Sequence, residues 1–66
     1  MVVNGKTISL ETLQNKTLLG LLTSMNLSEK RVAVEINGKI IKKTEYTGTK
    51  LQSEDIIELI HFAGGG

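Results

Sequence analysis

The three residues at the end of this 66-residue chain, Gly64, Gly65 and Gly66, are the ones best placed for chemistry. Glycine has no reactive side chain, so the group on offer is the α-carboxylate of Gly66, whose reference pKa of about 3.3–3.7 leaves it ionised at neutral pH. A carboxylate is a poor electrophile and must first be activated, for instance as an acyl phosphate or acyl adenylate. Residues 63–66 reach at most about 13–14 Å when extended, and glycine leaves no side chain to block a narrow channel. We therefore expect a partner enzyme to receive this tail in its active site.

The rest of the chain offers little for catalysis. The absence of cysteine excludes a thiol nucleophile, a disulfide and a thiolate metal site. The single histidine, His61, is more typical of a strand residue than of a metal ligand. Glu54 and Asp55 are neighbours, and neighbours on an extended chain point to opposite faces, which favours a polar turn over a catalytic pair. We predict a carrier or co-substrate protein that is not an enzyme and binds no cofactor itself.

Charge and hydropathy argue against nucleic acid and membranes as partners. Eight Lys and Arg residues against seven Asp and Glu residues give a formal charge of +1, which is no strong electrostatic footprint for either. Three lysines, Lys39, Lys42 and Lys43, favour a solvated sheet edge that discourages strand pairing. No apolar run is long enough to span a bilayer and no signal-peptide pattern is present, so we expect a cytoplasmic protein. We also expect it to be a monomer when alone.

Two hairpins are predicted from Asn-Gly pairs. Asn4-Gly5 separates the β-forming residues Val2-Val3 and Thr7-Ile8, and Asn37-Gly38 follows an alternating run over residues 32–36. Asn-Gly supplies the two positive φ angles that a type I′ turn requires.

One helix is predicted between the hairpins. Leu18, Leu21, Leu22 and Met25 follow the i, i+3, i+4, i+7 spacing of one helix face. Thr17 is suited to the N-cap and Asn26 to a left-handed C-cap. Gly20 is locally unfavourable; it either allows close approach to a strand or has no role.

The element order β-β-α-β-β-β predicts an α+β protein with the β-grasp, or ubiquitin-like, fold. In this fold a mixed sheet of four to five strands carries one helix across one face, and the last strand is central and pairs with the first. We expect a single domain over residues 1–62 and a flexible tail over residues 63–66. On the last strand, Ile57 and Leu59 are assigned to the core and Ile60 and Phe62 to partner docking. Alternatively, Ile60 and Phe62 complete a second small cluster.

Several segments together resemble the ThiS family of small sulfur carriers in thiamine biosynthesis: VVNGKTISL, TLLGLL, VAVEINGKII, LQSEDIIELIHF and AGGG. The resemblance covers nearly the whole chain. It implies that a ThiF-type adenylyltransferase uses ATP and Mg²⁺ to adenylate Gly66. Sulfur from a cysteine-derived sulfur donor then gives a thiocarboxylate, and the ThiG thiazole synthase takes that sulfur. By position, Gly65 and Gly66 match the diglycine that the family requires, and Gly64 adds one further residue of length. The resemblance also implies that Gly64 and Gly65 are the tail residues that the partner recognises.

Three other functions remain open at this point. The chain is also compatible with a molybdopterin-synthase small subunit or another thiocarboxylate donor, although such proteins are typically longer. It is compatible with a ubiquitin-like modifier whose Gly66 ends on a target lysine. Finally, it is compatible with a plain interaction module in which the terminal glycines are a frayed end.

Overall fold

A computed structural model describes residues 1–62 of the chain, so the predicted tail over residues 63–66 lies outside the described residues. The described elements, in chain order, are β1 (Val2–Val3), β2 (Lys6–Thr7), α1 (Leu18–Ser24), β3 (Val32–Ile36), β4 (Lys39–Ile41) and β5 (Ile56–His61). Single 3-10 turns occupy Leu10–Thr12, Glu29–Arg31 and Lys43–Glu45.

The strands form one mixed sheet in the order β2-β1-β5-β3-β4. Strand β5 lies in the middle, parallel to β1 and antiparallel to β3. The two hairpins pair β1 with β2 and β3 with β4 in antiparallel fashion. The predicted β-grasp fold, with its last strand central and beside the first, is thus confirmed.

Both Asn-Gly pairs adopt the predicted turn geometry. Asn4 and Gly5 have φ angles of 50° and 84°, and Asn37 and Gly38 have φ angles of 52° and 85°. Two consecutive positive φ angles define the type I′ turn, whose twist matches that of the flanking strands.

Helix α1 packs three leucines against the sheet. Its N-cap is Thr17, as predicted, whereas its C-cap is Met25, and the left-handed residue Asn26 follows one position later. The Thr17 hydroxyl accepts a hydrogen bond from the Gly20 N–H at 3.1 Å, and Asn26 has a left-handed φ of 59°. Leu18, Leu21 and Leu22 are buried. The expectation that Met25 shares their face was wrong, because the helix ends at Ser24 and Met25 is 39% exposed.

Gly20 is required by a close contact with a loop rather than with a strand. A side chain added at this position would bring its Cβ to 2.9 Å from the Asn15 carbonyl carbon and would overlap the carbonyl oxygen. Real Cβ atoms do not approach backbone so closely. The segment before α1 therefore passes directly over the helix where it has no side chain.

The core lies between α1 and one face of the sheet. Its buried apolar residues are Met1, Val3, Leu13, Leu18, Leu21, Leu22, Val32, Val34, Ile36, Tyr46, Leu51, Ile57 and Leu59. Leu13 and Leu51, which lie in otherwise polar connections, belong to it.

Tyr46 fastens the 3-10 turn after β4 to the core. Its ring is buried and its hydroxyl donates to the Val32 carbonyl at 3.0 Å. Burial raises the pKa of the Tyr46 phenol above its ordinary value of 10.0. Lys43, expected only to solvate an edge, also donates to the Val32 carbonyl at 3.0 Å and lies 5.9 Å from the Tyr46 ring centre.

Candidate functional site

The end of β5 separates a buried side from an exposed side, as the alternation along the strand predicts. Ile57 and Leu59 point into the core. Ile60 and Phe62 are 59% and 51% exposed on the opposite side. The division between core and surface is therefore confirmed, whereas the docking role of Ile60 and Phe62 stays a prediction.

The sheet face turned away from α1 carries an apolar surface, which we call the open face. Its members are Ala33, Glu35, Ile40, Ile56, Glu58, Ile60 and Phe62. Ile40 is 80% exposed. Together with Ala33, Glu35 and Ile60 it lines a shallow depression of about 120 Å³. Exposed apolar side chains grouped beside a chain end are suited to contact with another protein.

The centre of the open face is acidic. Glu35 on β3 lies directly opposite Glu58 on β5, and Ile40 on β4 lies opposite Glu35 on its other side. This places two carboxylates among isoleucines. A partner of matching character would present a basic group flanked by apolar side chains.

Asn37 and Asp55 anchor the beginning of β5. The Asn37 Oδ1 accepts from the Ile56 N–H at 2.9 Å, and its Nδ2 donates to Asp55 Oδ1 at 2.9 Å. Asp55 Oδ2 accepts from the Gln52 N–H at 2.8 Å. Asp55 is buried and fully engaged in these bonds, whereas its neighbour Glu54 is exposed. The two acids thus form a turn and not a catalytic pair.

Asn4 binds the same strand near its other end. Its Oδ1 accepts from the Leu59 N–H at 2.7 Å and its Nδ2 donates to the Leu59 carbonyl at 3.2 Å. Sequence reasoning missed this role, and that of Asn37, because turn formation already accounts for both asparagines. The available signal was that asparagine, and not aspartate or glycine, precedes glycine in both turns.

The last described residues of the chain lie beside β3. His61 lies opposite Val32, and the Phe62 N–H donates to the Arg31 carbonyl at 2.8 Å. Gly64, Gly65 and Gly66, the predicted attachment and recognition residues, lie outside the described residues. Within residues 1–62, no group of three or more His, Cys, Asp or Glu side chains could hold a metal ion.

No helix in the described part of the chain is both long and apolar enough to cross a membrane.

Comparison with known sequences identifies a family over the full length of the chain and relatives over most of it. The sequence model of the ThiS family matches residues 1–66. The chain is 41% identical over 64 residues to the sulfur carrier protein ThiS of Bacillus subtilis, which covers 97% of this chain and 96% of that protein. It is also 42% identical over 50 residues to a thiazole synthase of Magnetococcus marinus, which covers 76% of this chain and 15% of the synthase.

Solved structures give the same relationship. The crystal structure of thiamine biosynthesis protein ThiS from Geobacter metallireducens superimposes with a TM-score of 0.77 at 27% identity, covering 98% of this chain and 96% of that chain. The solution structure of a thiamine biosynthesis protein from the same organism gives a TM-score of 0.76 at 27% identity, covering 98% of this chain and 85% of that chain. The fold, the match over residues 1–66 and these relatives agree: the chain belongs to the ThiS family.

Proposed function

We propose that this protein is a sulfur carrier of thiamine biosynthesis and that the carboxyl group of Gly66 is the group that carries the sulfur. The observation that carries this proposal is the 41% identity, over 97% of the chain, to the sulfur carrier protein of B. subtilis. The open face adds support, because it gives an activating enzyme a surface to hold at the end of the chain that contains Gly66.

The chemistry requires two stages, activation of the Gly66 carboxylate and replacement of its activated oxygen by sulfur. In the first, a carboxylate oxygen of Gly66 attacks the α-phosphorus of ATP, and pyrophosphate leaves; a ThiF-type adenylyltransferase supplies ATP and Mg²⁺. In the second, the terminal sulfur of a persulfide that a donor protein has obtained from cysteine attacks the acyl carbon, and AMP leaves. A thiol then cleaves the resulting acyl disulfide by forming a disulfide with the donor sulfur, and the thiocarboxylate remains on Gly66. This chain contributes the reacting carboxyl group and the surfaces that present it.

Gly64 and Gly65 lead Gly66 into the enzyme in this proposal. A narrow channel accepts residues without side chains, and the domain remains outside it. Ile60 and Phe62 lie a few residues before this segment and are exposed on the open face. Contact between these side chains and the enzyme would hold the domain at the channel entrance.

A thiazole synthase of the ThiG type is the proposed acceptor of the sulfur. The support is that a thiazole synthase of M. marinus contains a stretch 42% identical to 50 residues of this chain. A carrier-like stretch joined to a synthase places the two in one polypeptide, where transfer between them needs no encounter from solution.

Intact mass spectrometry tests the proposal directly. The chain is incubated with a ThiF-type enzyme, ATP, Mg²⁺ and a cysteine-dependent sulfur source. We expect the mass gain of one oxygen replaced by sulfur, localised to Gly66, and no gain without ATP or when Gly65 and Gly66 are deleted. Rescue of a thiamine auxotroph, and not of a molybdenum-cofactor mutant, then assigns the pathway. No mass gain with an enzyme active on its own carrier would contradict the proposal, and lysine-linked adducts would identify a protein modifier instead.

A further inference from the structure

Asn4 extends the hydrogen-bonded ladder of β1 beyond the point where its backbone turns away. Between β1 and β5 the Val2 N–H donates to the Asp55 carbonyl at 2.9 Å, and the Asn4 N–H donates to the Ile57 carbonyl at 2.9 Å. At Asn4 the backbone enters the left-handed region and leaves β5 for the turn. Because backbone groups alternate between the two sides of a strand, Leu59 is the next residue of β5 that faces β1.

The side-chain amide of Asn4 occupies this next position. It accepts from the Leu59 N–H at 2.7 Å and donates to the Leu59 carbonyl at 3.2 Å. A carboxamide offers the same acceptor and donor as a peptide group. Asn4 thus serves as one further peptide unit of β1, and β5 is held on both sides as far as Leu59.

After Leu59 the described part of the chain has backbone hydrogen bonds only on the side of β3. The Phe62 N–H donates to the Arg31 carbonyl, which belongs to the side of β3. Within residues 1–62, His61 has no hydrogen-bond partner on the side of β1. Leu59 is therefore the last described residue of β5 with hydrogen bonds on the side of β1.

We propose that Asn4 is a positioning residue for the reactive end of the chain. By clamping Leu59, it sets the place and direction from which the residues that lead to Gly66 leave the sheet. This inference rests on the proposed function, in which an activating enzyme takes that end into its active site. A displacement of about 1 Å in a reacting group can cost about 100-fold in rate. Loss of the clamp therefore slows the chemical step, while docking through the open face is retained.

Two matched variants separate positioning from stability. Asn4→Gly and Asn37→Gly both leave a turn residue that accepts a positive φ, and both remove two side-chain hydrogen bonds. The bonds of Asn37 go to Ile56 and Asp55 at the start of β5, whereas those of Asn4 go to Leu59 near its end. A loss of kcat that reflects only lower stability of the fold would appear in both variants.

The kcat and KM of thiocarboxylate formation are measured for each variant at a temperature where circular dichroism shows every chain fully folded. We expect Asn4→Gly to lower kcat by about tenfold or more while KM stays near the wild-type value. Asn37→Gly retains the wild-type kcat. Amide hydrogen exchange, followed by NMR in the free chain, accelerates at Leu59 in Asn4→Gly and not in Asn37→Gly.

Equal kcat values for the two variants would overturn the inference and leave the proposed function intact. Failure of the wild-type chain to be modified would contradict the proposed function instead. In that case the exchange measurement decides whether Asn4 holds this end of β5, and unchanged exchange at Leu59 in Asn4→Gly overturns the inference.

Discussion

Glu35 and Glu58 lie directly opposite each other on neighbouring strands, with both side chains on the open face of the sheet. Like charges in this arrangement destabilise a sheet. The pair lies among apolar residues, since Ile40 is opposite Glu35 and the next pair on the same face of the sheet is Ala33 with Ile60. A partner that brings a basic side chain to this position would relieve the repulsion.

Glu58→Gln should stabilise the free domain and weaken docking. Removing one of two opposed charges is expected to add about 0.2–1 kcal/mol to the free energy of unfolding at low ionic strength. The gain should shrink with added salt, because the screening length falls to about 10 Å at 0.1 M. Urea unfolding at two salt concentrations measures this, and Glu54→Gln, in the turn before β5, is the control. A domain less stable than wild type would show that the pair is not repulsive.

Phe62→Asp should weaken binding to the activating enzyme without unfolding the domain. The Phe62 side chain is 51% exposed, so its replacement leaves no cavity in the core. We expect the KM of the activating enzyme for this chain to rise about tenfold, which corresponds to a loss of about 1.4 kcal/mol in binding free energy. Ile56→Asp places the same charge on the open face at the far end of β5 and serves as the control. A lowered melting temperature in Phe62→Asp would assign Phe62 to the core.

The elements and faces that follow from local patterns could be predicted from the sequence. Asn-Gly pairs fix a turn within four residues, and the alternation of Ile57 and Leu59 with Ile60 and Phe62 needs only the period of a strand. In each case the determining neighbours are close in sequence.

The relationships that bring distant residues together could not be predicted. Tyr46, at the end of a 3-10 turn, is buried, and its hydroxyl reaches Val32 on β3. The Asn4 side chain bonds to Leu59, which is 55 positions away. Periodicity also placed Met25 with the helix leucines, because spacing alone does not tell where a helix ends. The exposed surface of the candidate site could be predicted, whereas the side-chain hydrogen bonds that hold β5 in place are visible only in the three-dimensional structure.

Leu21→Ala and Met25→Ala should differ strongly although the spacing of the sequence places both residues on one helix face. Leu21 is buried, and truncation of such a leucine costs about 2–5 kcal/mol in the free energy of unfolding. Met25 lies just past the helix and is 39% exposed, so its truncation should cost within about 0.5 kcal/mol. Thermal and urea unfolding of both variants measures this. Equal losses would mean that the helix continues through Met25.

Tyr46 should make stability fall above pH 10. Its pKa in the folded state is raised by burial above the 10.0 of an exposed tyrosine. Above that pH the unfolded chain loses the phenolic proton while the folded chain keeps it, so the unfolded state binds fewer protons and stability declines until the folded pKa is passed.

Comparison with Tyr46→Phe isolates this effect, because all other groups titrate alike in both chains. The variant loses the hydrogen bond to Val32 and should be about 0.5–1.5 kcal/mol less stable at neutral pH. Above pH 10 this difference should narrow, since phenylalanine does not ionise. Urea unfolding of both chains, from neutral pH to above pH 10, measures this difference in the free energy of unfolding. A difference that stays constant would show that Tyr46 has its ordinary pKa in the folded chain.

Gly20→Ala should destabilise the domain, although alanine in a helix is ordinarily more stable than glycine by about 0.5–1 kcal/mol. The added Cβ would overlap the carbonyl oxygen of Asn15, and a backbone atom cannot rotate away as the end of a side chain can. Overpacking of this kind costs about 1–3 kcal/mol, which outweighs the gain in helix propensity. Thr23→Ala, at an exposed position of the same helix, is the control and should be neutral or slightly stabilising.

A double variant identifies the atoms responsible. Adding Asn15→Gly to Gly20→Ala removes the Asn15 side chain, whose Cβ is 2.9 Å from the added Cβ, but leaves the carbonyl group in place. We therefore expect Gly20→Ala to lower the free energy of unfolding by the same amount in the Asn15→Gly chain as in the wild-type chain. Full recovery would mean that the contact involves the side chain only and that the loop backbone can move aside. The absence of recovery would show that the two backbones meet at this point, so that glycine at position 20 is required for the loop before α1 to cross the helix.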